Sequence, residues 1–489
     1  MTQNNNSSVE VSIPSINHLE LAMKNAENFN QWKELAEVHD ELSGGNQWKA
    51  SDNTDRYDFS EIKNRLEKIQ TLLAQKNAKE LLFVMNEGLH GNLSGMGHAT
   101  LYSQTKIGTK QLIEDFVDTT IQALDFLYQS PDSELSLATK QDFFQRASHC
   151  YGRPALMISG AAGLIYFHHG VVQELLHQNL LPSIISGASA GALVTAQLGC
   201  LDEETLKSDH FITTRYPDEH SMVDLFLGRL NQQAAKDLKE AFLDKACPRD
   251  LTFREALEKT GRHINISISP TGKFQNSRLL NAYTAPDVYV RSAVSASISV
   301  PGVFAPEQLY TKGYDGKPRP YLKNTRWVDG SLAGDLPAKR LARLYGVNFF
   351  ISSVANPLIA PFISEPKYQH RNGLKKTVSR SSIDLMRELL AITEKTIAND
   401  SNRNTINTFR SLINIMEQRY KGDITFAIEK KDFTWRNVIG EFTEAERENL
   451  LISGARSSWP KLSRLKTSIR IAQRLEEIQT ALLKQKQSD

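Results

Sequence analysis

Ser183-Ile184-Ile185-Ser186-Gly187-Ala188-Ser189-Ala190-Gly191, followed by the helix-favouring run 192–198, is the stretch whose reading decides the fold. Its apolar start predicts a strand over 183–186, the small residues predict a sharp turn, and the run behind them predicts a helix. Gly187-x-Ser189-x-Gly191 has the spacing of a nucleophile elbow, where small neighbours let the chain turn tightly and leave the serine hydroxyl exposed. A helix N-terminus, with its positive dipole, then lies beside that hydroxyl. The five letters alone carry little weight; the strand before them and the helix after them make Ser189 the candidate nucleophile.

The same strand, turn and helix order occurs one unit upstream. Tyr151-Gly152-Arg153-Pro154 leads into an apolar run at 155–158, then Ser159-Gly160-Ala161-Ala162-Gly163, then a predicted helix over 164–178. Acyl transfer needs N–H donors for the oxyanion of its tetrahedral intermediates, and a small-residue turn before a helix offers them. Gly160, Ala161, Ala162 and Gly163 are therefore the candidate oxyanion hole, with Gly187 and Gly191 the elbow glycines. Further strands are expected at 264–268, 288–290, 326–328 and 347–353. Strands separated by helices point to an α/β fold with a mostly parallel sheet covered on both faces.

A serine hydroxyl near neutral pH needs a base. Asp329, in Trp327-Val328-Asp329-Gly330-Ser331, ends a short apolar run and precedes a glycine that lets the loop turn toward the serine. An Asp-Gly pair by itself is ordinarily only a turn. Histidine is poorly supplied: His370, in Tyr368-Gln369-His370-Arg371, is the sole histidine after Asp329 and reads as a solvated surface group. His168 and His169 read as helix packing or capping, and His169 and Glu174 are five residues apart and so face different ways.

The 489 residues exceed what one hydrophobic core holds. They divide into a polar tail (1–18), a helical accessory domain (19–150), a catalytic domain (151–355) and a C-terminal helical region (356–489). The accessory domain is read from apolar residues at helical spacing, Ile62, Leu66, Ile69 and Leu73, then Leu112, Phe116, Ile121, Leu124 and Leu127. The charged insertion 201–262 carries Met222, Val223, Leu225, Phe226 and Leu227, either a lid over the site or a helix pair with its own small core. Arg464, Lys466, Arg470 and Arg474 form a basic stretch, read as a solvated helix face or as a contact for anionic headgroups.

An apolar fraction of 40%, a charged fraction of 23% and a mean hydropathy of −0.39 suit a soluble chain, with no apolar run of membrane-spanning length. A net charge of +2 argues against nucleic acid as partner. Cys150, Cys200 and Cys247 are scattered, which suggests neither a disulfide framework nor a thiolate zinc site and fits a reducing cytosol. Met1 to Ser8 lacks the basic and apolar segments of a secretory signal.

With these residues in view, the chain resembles the patatin-like lipid acyl hydrolases, in particular the triacylglycerol lipase branch of lipid droplets. The resemblance is carried by His168-His169-Gly170-Val171, Leu180-Leu181-Pro182 and 185–191. Leu279-Leu280-Asn281 with Thr284-Ala285-Pro286, Ala296-Ser297 with Val300-Pro301-Gly302-Val303-Phe304, and Val328-Asp329-Gly330 extend it. Trp32, Leu42, Gly44, Trp48, Lys49 and Tyr57-Asp58 are similar to the domain of unknown function that precedes the lipase domain in this branch. Gly422-Asp423-Ile424-Thr425 and Trp459-Pro460-Lys461 are similar to its C-terminal region. The resemblance implies a patatin-like three-layer sandwich and a Ser-Asp dyad without histidine, carried over to Ser189 and Asp329. One departure stands out: Gly160-Ala161 replaces two adjacent glycines, and Ile165 stands where another glycine is common. Alanine still offers an N–H but tolerates fewer backbone conformations.

The expected activity is hydrolysis of long-chain lipid esters, with triacylglycerol first by resemblance, at a peripheral membrane or lipid-droplet surface. No metal or organic cofactor is called for. The rival readings are a phospholipase A or lysophospholipase/transacylase on the same site, an α/β-hydrolase esterase using Ser189, Asp329 or Asp335, and His370, and a non-catalytic lipid-surface protein.

Overall fold

Among the described residues, the apolar runs around the elbow fold into one seven-stranded sheet. The structure is a computed structural model that describes residues 14–208, 224, 229–272, 275–301, 303–356, 422–438 and 440–488. Its strands are β1 (Arg153–Ile158), β2 (Ile184–Gly187), β3 (His263–Pro270), β4 (Arg278–Leu280), β5 (Tyr310–Lys312), β6 (Pro318–Pro320), β7 (Trp327–Asp329), β8 (Val347–Val354) and β9 (Ile424–Ala427). The order β3-β2-β1-β8-β9 is parallel throughout, while β4 and β7 run antiparallel to β3, and β5 and β6 form a separate hairpin.

Alternation along β1 shows why the sheet is covered on both faces. Leu156 and Ile158 enter the larger core, whereas Ala155 and Met157 enter a smaller one with Leu341 and Tyr345 of the helix Ala338–Tyr345. Parallel strands buried on both faces read as continuous apolar runs, as 155–158 does. The helix Ala190–Cys200 behind the elbow is buried along its whole length, and apart from Thr195 and Gln197 its residues are apolar, so it shows no polar face. Helix, sheet and helix make the three layers.

Two expectations change. Residues 288–290 do not form a strand: Val288 and Tyr289 make only isolated bridges, and Val290 opens the helix Val290–Ser297. Three residues of strand-favouring type give no period by which to tell a strand from a helix start. The C-terminal region in turn contributes β9, which pairs with β8 from Ile351↔Ile424 to Val354↔Ala427. Four residues behind a polar Gly-Asp carry too little pattern to announce a strand.

The N-terminal helices divide between two cores. Met23, Ala26, Trp32 and Ala36 join the core of the catalytic layers, where Trp32 meets Trp459 at a ring-centroid distance of 6.4 Å. Ile62, Leu66, Phe116, Leu124 and Phe143 build a second core with Ile471, Leu475, Ile478 and Leu482 of the C-terminal helix Leu462–Ser488. That helix also places Leu465 and Ile469 in the first core, so it ties the two together.

The basic stretch on this helix belongs to the same junction. Arg470 pairs with Asp118, Arg474 pairs with Asp125 at 2.5 Å, and Arg464 donates to the carbonyls of Gly97 (3.3 Å) and Asp423 (2.7 Å). Lys466 alone of the four is exposed. The three arginines are therefore engaged by the protein itself and are neither a solvated face nor a headgroup site. Partly exposed pairs of this kind contribute about 0.2–1 kcal/mol each, so they orient a junction that apolar burial stabilises. The segment carrying Met222, Val223, Leu225, Phe226 and Leu227 lies outside the described residues.

Candidate functional site

Register around β3 brings the two candidate catalytic residues together. Ile266 faces Gly187 of β2 on one side and Leu280 of β4 on the other, while Ile268 faces Arg278 of β4 and Asp329 of β7. β7 therefore lies on the β2 side of β3, and the two strands meet end to end. Their ends are two residues apart along β3, about 7 Å at the rise of a strand. Ser189 turns into that gap from one end and Asp329 enters it from the other.

The elbow has the backbone its spacing demands. Ser189 has φ 53° and ψ −128°, a left-handed conformation that costs a non-glycine residue about 1–3 kcal/mol. Its N–H donates to Ser297 Oγ at 3.0 Å, and that hydroxyl donates to the Ser267 carbonyl at 2.7 Å, which fastens the turn to β3. A Cβ on Gly191 would lie 2.5 Å from the Ile158 carbonyl oxygen, so glycine is required by close approach.

Asp329 is buried, at 1% exposure. Its carboxylate accepts a hydrogen bond from the Ser331 N–H at 2.8 Å, and the Ser189 and Ser331 hydroxyls lie beside it, near enough to favour its charged form. Burial pushes the carboxyl up to about 6, and the donated hydrogen bonds oppose that rise. At neutral pH the group is ionised and in contact with the one proton a serine nucleophile must lose. Gly330 next to it is as constrained as the elbow: an added Cβ would stand 2.0 Å from the Ser267 carbonyl oxygen. Gly330→Ala should cost about 2–4 kcal/mol by displacing β7 from β3. Urea unfolding checks the loss, and a variant as stable as wild type would contradict the packing described.

The turn after β1 differs from its expectation in one donor. The Gly160 N–H is committed to Asp335 Oδ1 at 2.7 Å, so it does not face a substrate carbonyl. A Cβ on Gly160 would lie 3.3 Å from the Cβ atoms of both Ser189 and Ser331, so the Cα side of Gly160 abuts the dyad. The N–H groups of Ala161, Ala162 and Gly163 bond to no acceptor among the described residues, and they lead into the N-terminus of the helix Ile165–His177. Ala162 takes φ 49°, so an alanine adopts the left-handed conformation for which glycine is the usual choice.

The histidines are accounted for by packing. His168 bonds Ser353 Oγ at 2.7 Å and the Ser159 carbonyl at 3.0 Å, and burial beside His169 lowers it to about 3. His169 bonds Gln197 Oε1 at 2.9 Å and is lowered by burial to about 4. Both are neutral; His168 braces the turn after β1, and His169 ties its helix to the helix Ala190–Cys200. Glu174 accepts from Trp459 Nε1 at 2.9 Å, apart from His169. His370 lies outside the described residues. Asp335, weighed as a triad member, instead holds Gly160.

Sequence reasoning missed three contributors: Ser297, Ser331 and the clamp by Asp335. Ser331 had a signal, its position two residues after Asp329, where a backbone N–H can turn back onto the carboxylate. Ser297 and Asp335 act across 108 and 175 residues of chain and had none.

A three-layer α/β fold with a serine on a strained strand-to-helix turn, brought beside a buried aspartate, defines a class of proteins built around a Ser-Asp pair. The chain belongs to the patatin-like phospholipase family. Residues 156–342 match that family, and residues 13–149 match a domain of unknown function. A patatin-like phospholipase domain-containing protein of Neosartorya fischeri is 30% identical over 92% of this chain and 67% of its own. Triacylglycerol lipase ptl3 of Schizosaccharomyces pombe is 29% identical over 97% of this chain and 99% of its own. Triacylglycerol lipase 4 of Saccharomyces cerevisiae is 29% identical over 90% of this chain, which spans 50% of that protein's length. Among solved structures, VipD from Legionella pneumophila overlays loosely, at a TM-score of 0.34 and 14% identity over 65% of this chain and 68% of its own.

Proposed function

We propose that the protein is a serine acyl hydrolase that cleaves long-chain lipid esters, triacylglycerol first, through Ser189 and Asp329. The observation that carries the reading is the convergence of Ser189, on the strained turn after β2, and the buried Asp329, at the end of β7, at one point along β3. Two of the relatives reported above are named triacylglycerol lipases, which supports the choice of substrate.

Asp329 takes the hydroxyl proton as the Ser189 oxygen attacks the ester carbonyl. The oxyanion that forms is met by N–H groups of Ala161, Ala162 and Gly163 at the helix N-terminus, with Gly160 reassigned to holding the turn. Collapse expels the alcohol, which leaves with the proton from Asp329, and an acyl-Ser189 ester remains. Water then gives its proton to Asp329 and attacks the acyl group, releasing the fatty acid and restoring the serine. A lipid alcohol in place of water would give transacylation. Among the described residues no helix is long and apolar enough to cross a membrane, and we assign the protein to the periphery of a lipid surface.

The substrate is tested by fatty-acid release from tri-, di- and monoacylglycerol and from phospholipid, with wild type and Ser189→Ala side by side. Triacylglycerol should be cleaved fastest and only by wild type; a phospholipid preference would replace the substrate and keep the site.

The pH dependence follows from Asp329. A base must be ionised to work, so kcat/KM on a soluble ester should fall with a single-proton slope as pH drops below about 6, and be level above it. His370→Ala should leave that profile within about twofold of wild type, whereas a loss of about a thousandfold would assign catalysis to a histidine triad.

A further inference from the structure

We propose that the hairpin formed by β5 and β6, with the segment that follows it to Arg326, docks the protein on an anionic lipid surface. The inference rests on the lipase reading for the identity of that surface. Residues 310–326 carry Lys312, Lys317, Arg319, Lys323 and Arg326 against a single acid, Asp315, in a chain whose net charge is only +2. The charge of the whole molecule is thus outweighed by one short segment.

That segment is also where apolar groups stand in solvent. Tyr310, Tyr314 and Leu322 are exposed, Tyr314 fully so at the tip of the hairpin. Tyrosines and a leucine among lysines and arginines match the headgroup layer, where amphipathic rings sit at the water boundary and cations meet lipid phosphate and carboxylate. Arg319 is paired with Asp315 at 3.3 Å and Lys312 with Glu255 at 2.6 Å, while Lys317, Lys323 and Arg326 have no acidic partner among the described residues.

The hairpin is held firmly and faces the right way. Lys312 N–H donates to the Asp287 carbonyl at 2.8 Å and Tyr289 N–H to the Tyr310 carbonyl at 3.1 Å, so the outer edge of β5 is already occupied. On β6 the inward N–H groups belong to Arg319 and Tyr321, as the bond from Tyr321 to the Leu309 carbonyl (2.8 Å) shows. The outward positions are Pro318 and Pro320, which have no N–H. Neither edge can accept a strand from another protein, which favours a lipid surface over strand addition. From Arg326 the chain enters β7 opposite Pro270 and reaches Asp329 opposite Ile268. The segment therefore approaches from beyond the C-terminal end of β3, the end at which Ser189 lies.

The test is flotation of the full chain with phosphatidylcholine vesicles, with and without phosphatidylserine, alongside hydrolysis of soluble p-nitrophenyl butyrate. Each basic residue near an anionic surface contributes about fivefold in partitioning. Lys317→Glu with Lys323→Glu should therefore lower binding to the phosphatidylserine vesicles about tenfold or more, with little change on phosphatidylcholine alone. Tyr314→Ser should lower binding to both vesicles several-fold. All variants should hydrolyse the soluble ester as wild type does. Normal hydrolysis with vesicle binding that is absent in wild type, or unchanged in the variants, would overturn the docking proposal alone. Vesicle binding that responds as stated, with no hydrolysis by wild type, would sink the hydrolase reading and leave docking standing.

Discussion

Ser189→Ala is expected to fold as wild type does and to lose about 10⁴- to 10⁶-fold in kcat on any ester it cleaves, the scale seen when a serine nucleophile is removed. The loss follows from the place of Ser189 on the elbow: among the described residues Ser331 also lies beside the carboxylate, but it opens the helix Ser331–Gly334 after β7 and is not on the strained turn after β2. Ser297 is committed to the Ser189 N–H and the Ser267 carbonyl. A companion variant separates chemistry from backbone. Ser189→Gly removes the same hydroxyl and also relieves the positive φ of 53°, so it should be more stable than Ser189→Ala by about 1 kcal/mol. Equal stability of the two by thermal unfolding would mean that the elbow is unstrained.

Asp329→Asn has the second largest expected effect, and it acts in opposite directions on activity and stability. Loss of the base should lower kcat by about 10²- to 10⁴-fold. Stability should rise, because wild type holds an ionised carboxylate in a site that burial makes unfavourable to charge. The folded pKa of about 6 lies above the ordinary carboxyl value of 3.8, so above pH 6 the native state bears the full cost of ionising this group. Asparagine removes that cost, and the gain should be about 1–3 kcal/mol at pH 7.5. It should shrink as pH falls from about 6 to about 4, where the wild-type carboxyl becomes protonated in both states. Unfolding curves at pH 7.5 and pH 4.5 check this; a variant less stable than wild type at both would mean that the hydrogen bonds from Ser189 and Ser331 outweigh the cost of burial.

Local pattern made part of this architecture legible and was silent on the rest. β1, β2 and β8 are short apolar runs bounded by turn residues, and the helices after β1 and β2 follow at once, so strand, turn and helix can be read there within 30 residues. Ser189 belongs to that local pattern. Asp329 does not: its partner strand β3 precedes it by about 60 residues, and resemblance rather than periodicity singled it out. The same holds for Asp335 and Gly160, which meet across 175 residues of chain. The arginines of the C-terminal helix looked like a solvated or lipid-facing stripe because Asp118 and Asp125 lie some 350 residues away. The boundary drawn between accessory and catalytic segments likewise hides the fact that Trp32 and Ala36 pack in the core of the catalytic layers. Side-chain type predicts burial, but not against which neighbour.

Covalent capture shows whether Ser189 is a nucleophile activated by Asp329. Wild type, Ser189→Ala and Asp329→Asn are treated with a fluorophosphonate, and the site of addition is read by mass spectrometry of the peptide that contains residue 189. If Asp329 activates Ser189, wild type carries a single phosphonylated serine at 189, Ser189→Ala carries none, and Asp329→Asn is labelled about a hundredfold or more slowly. Folded wild type that stays unlabelled, or that is labelled at a different serine, would contradict that role of Ser189.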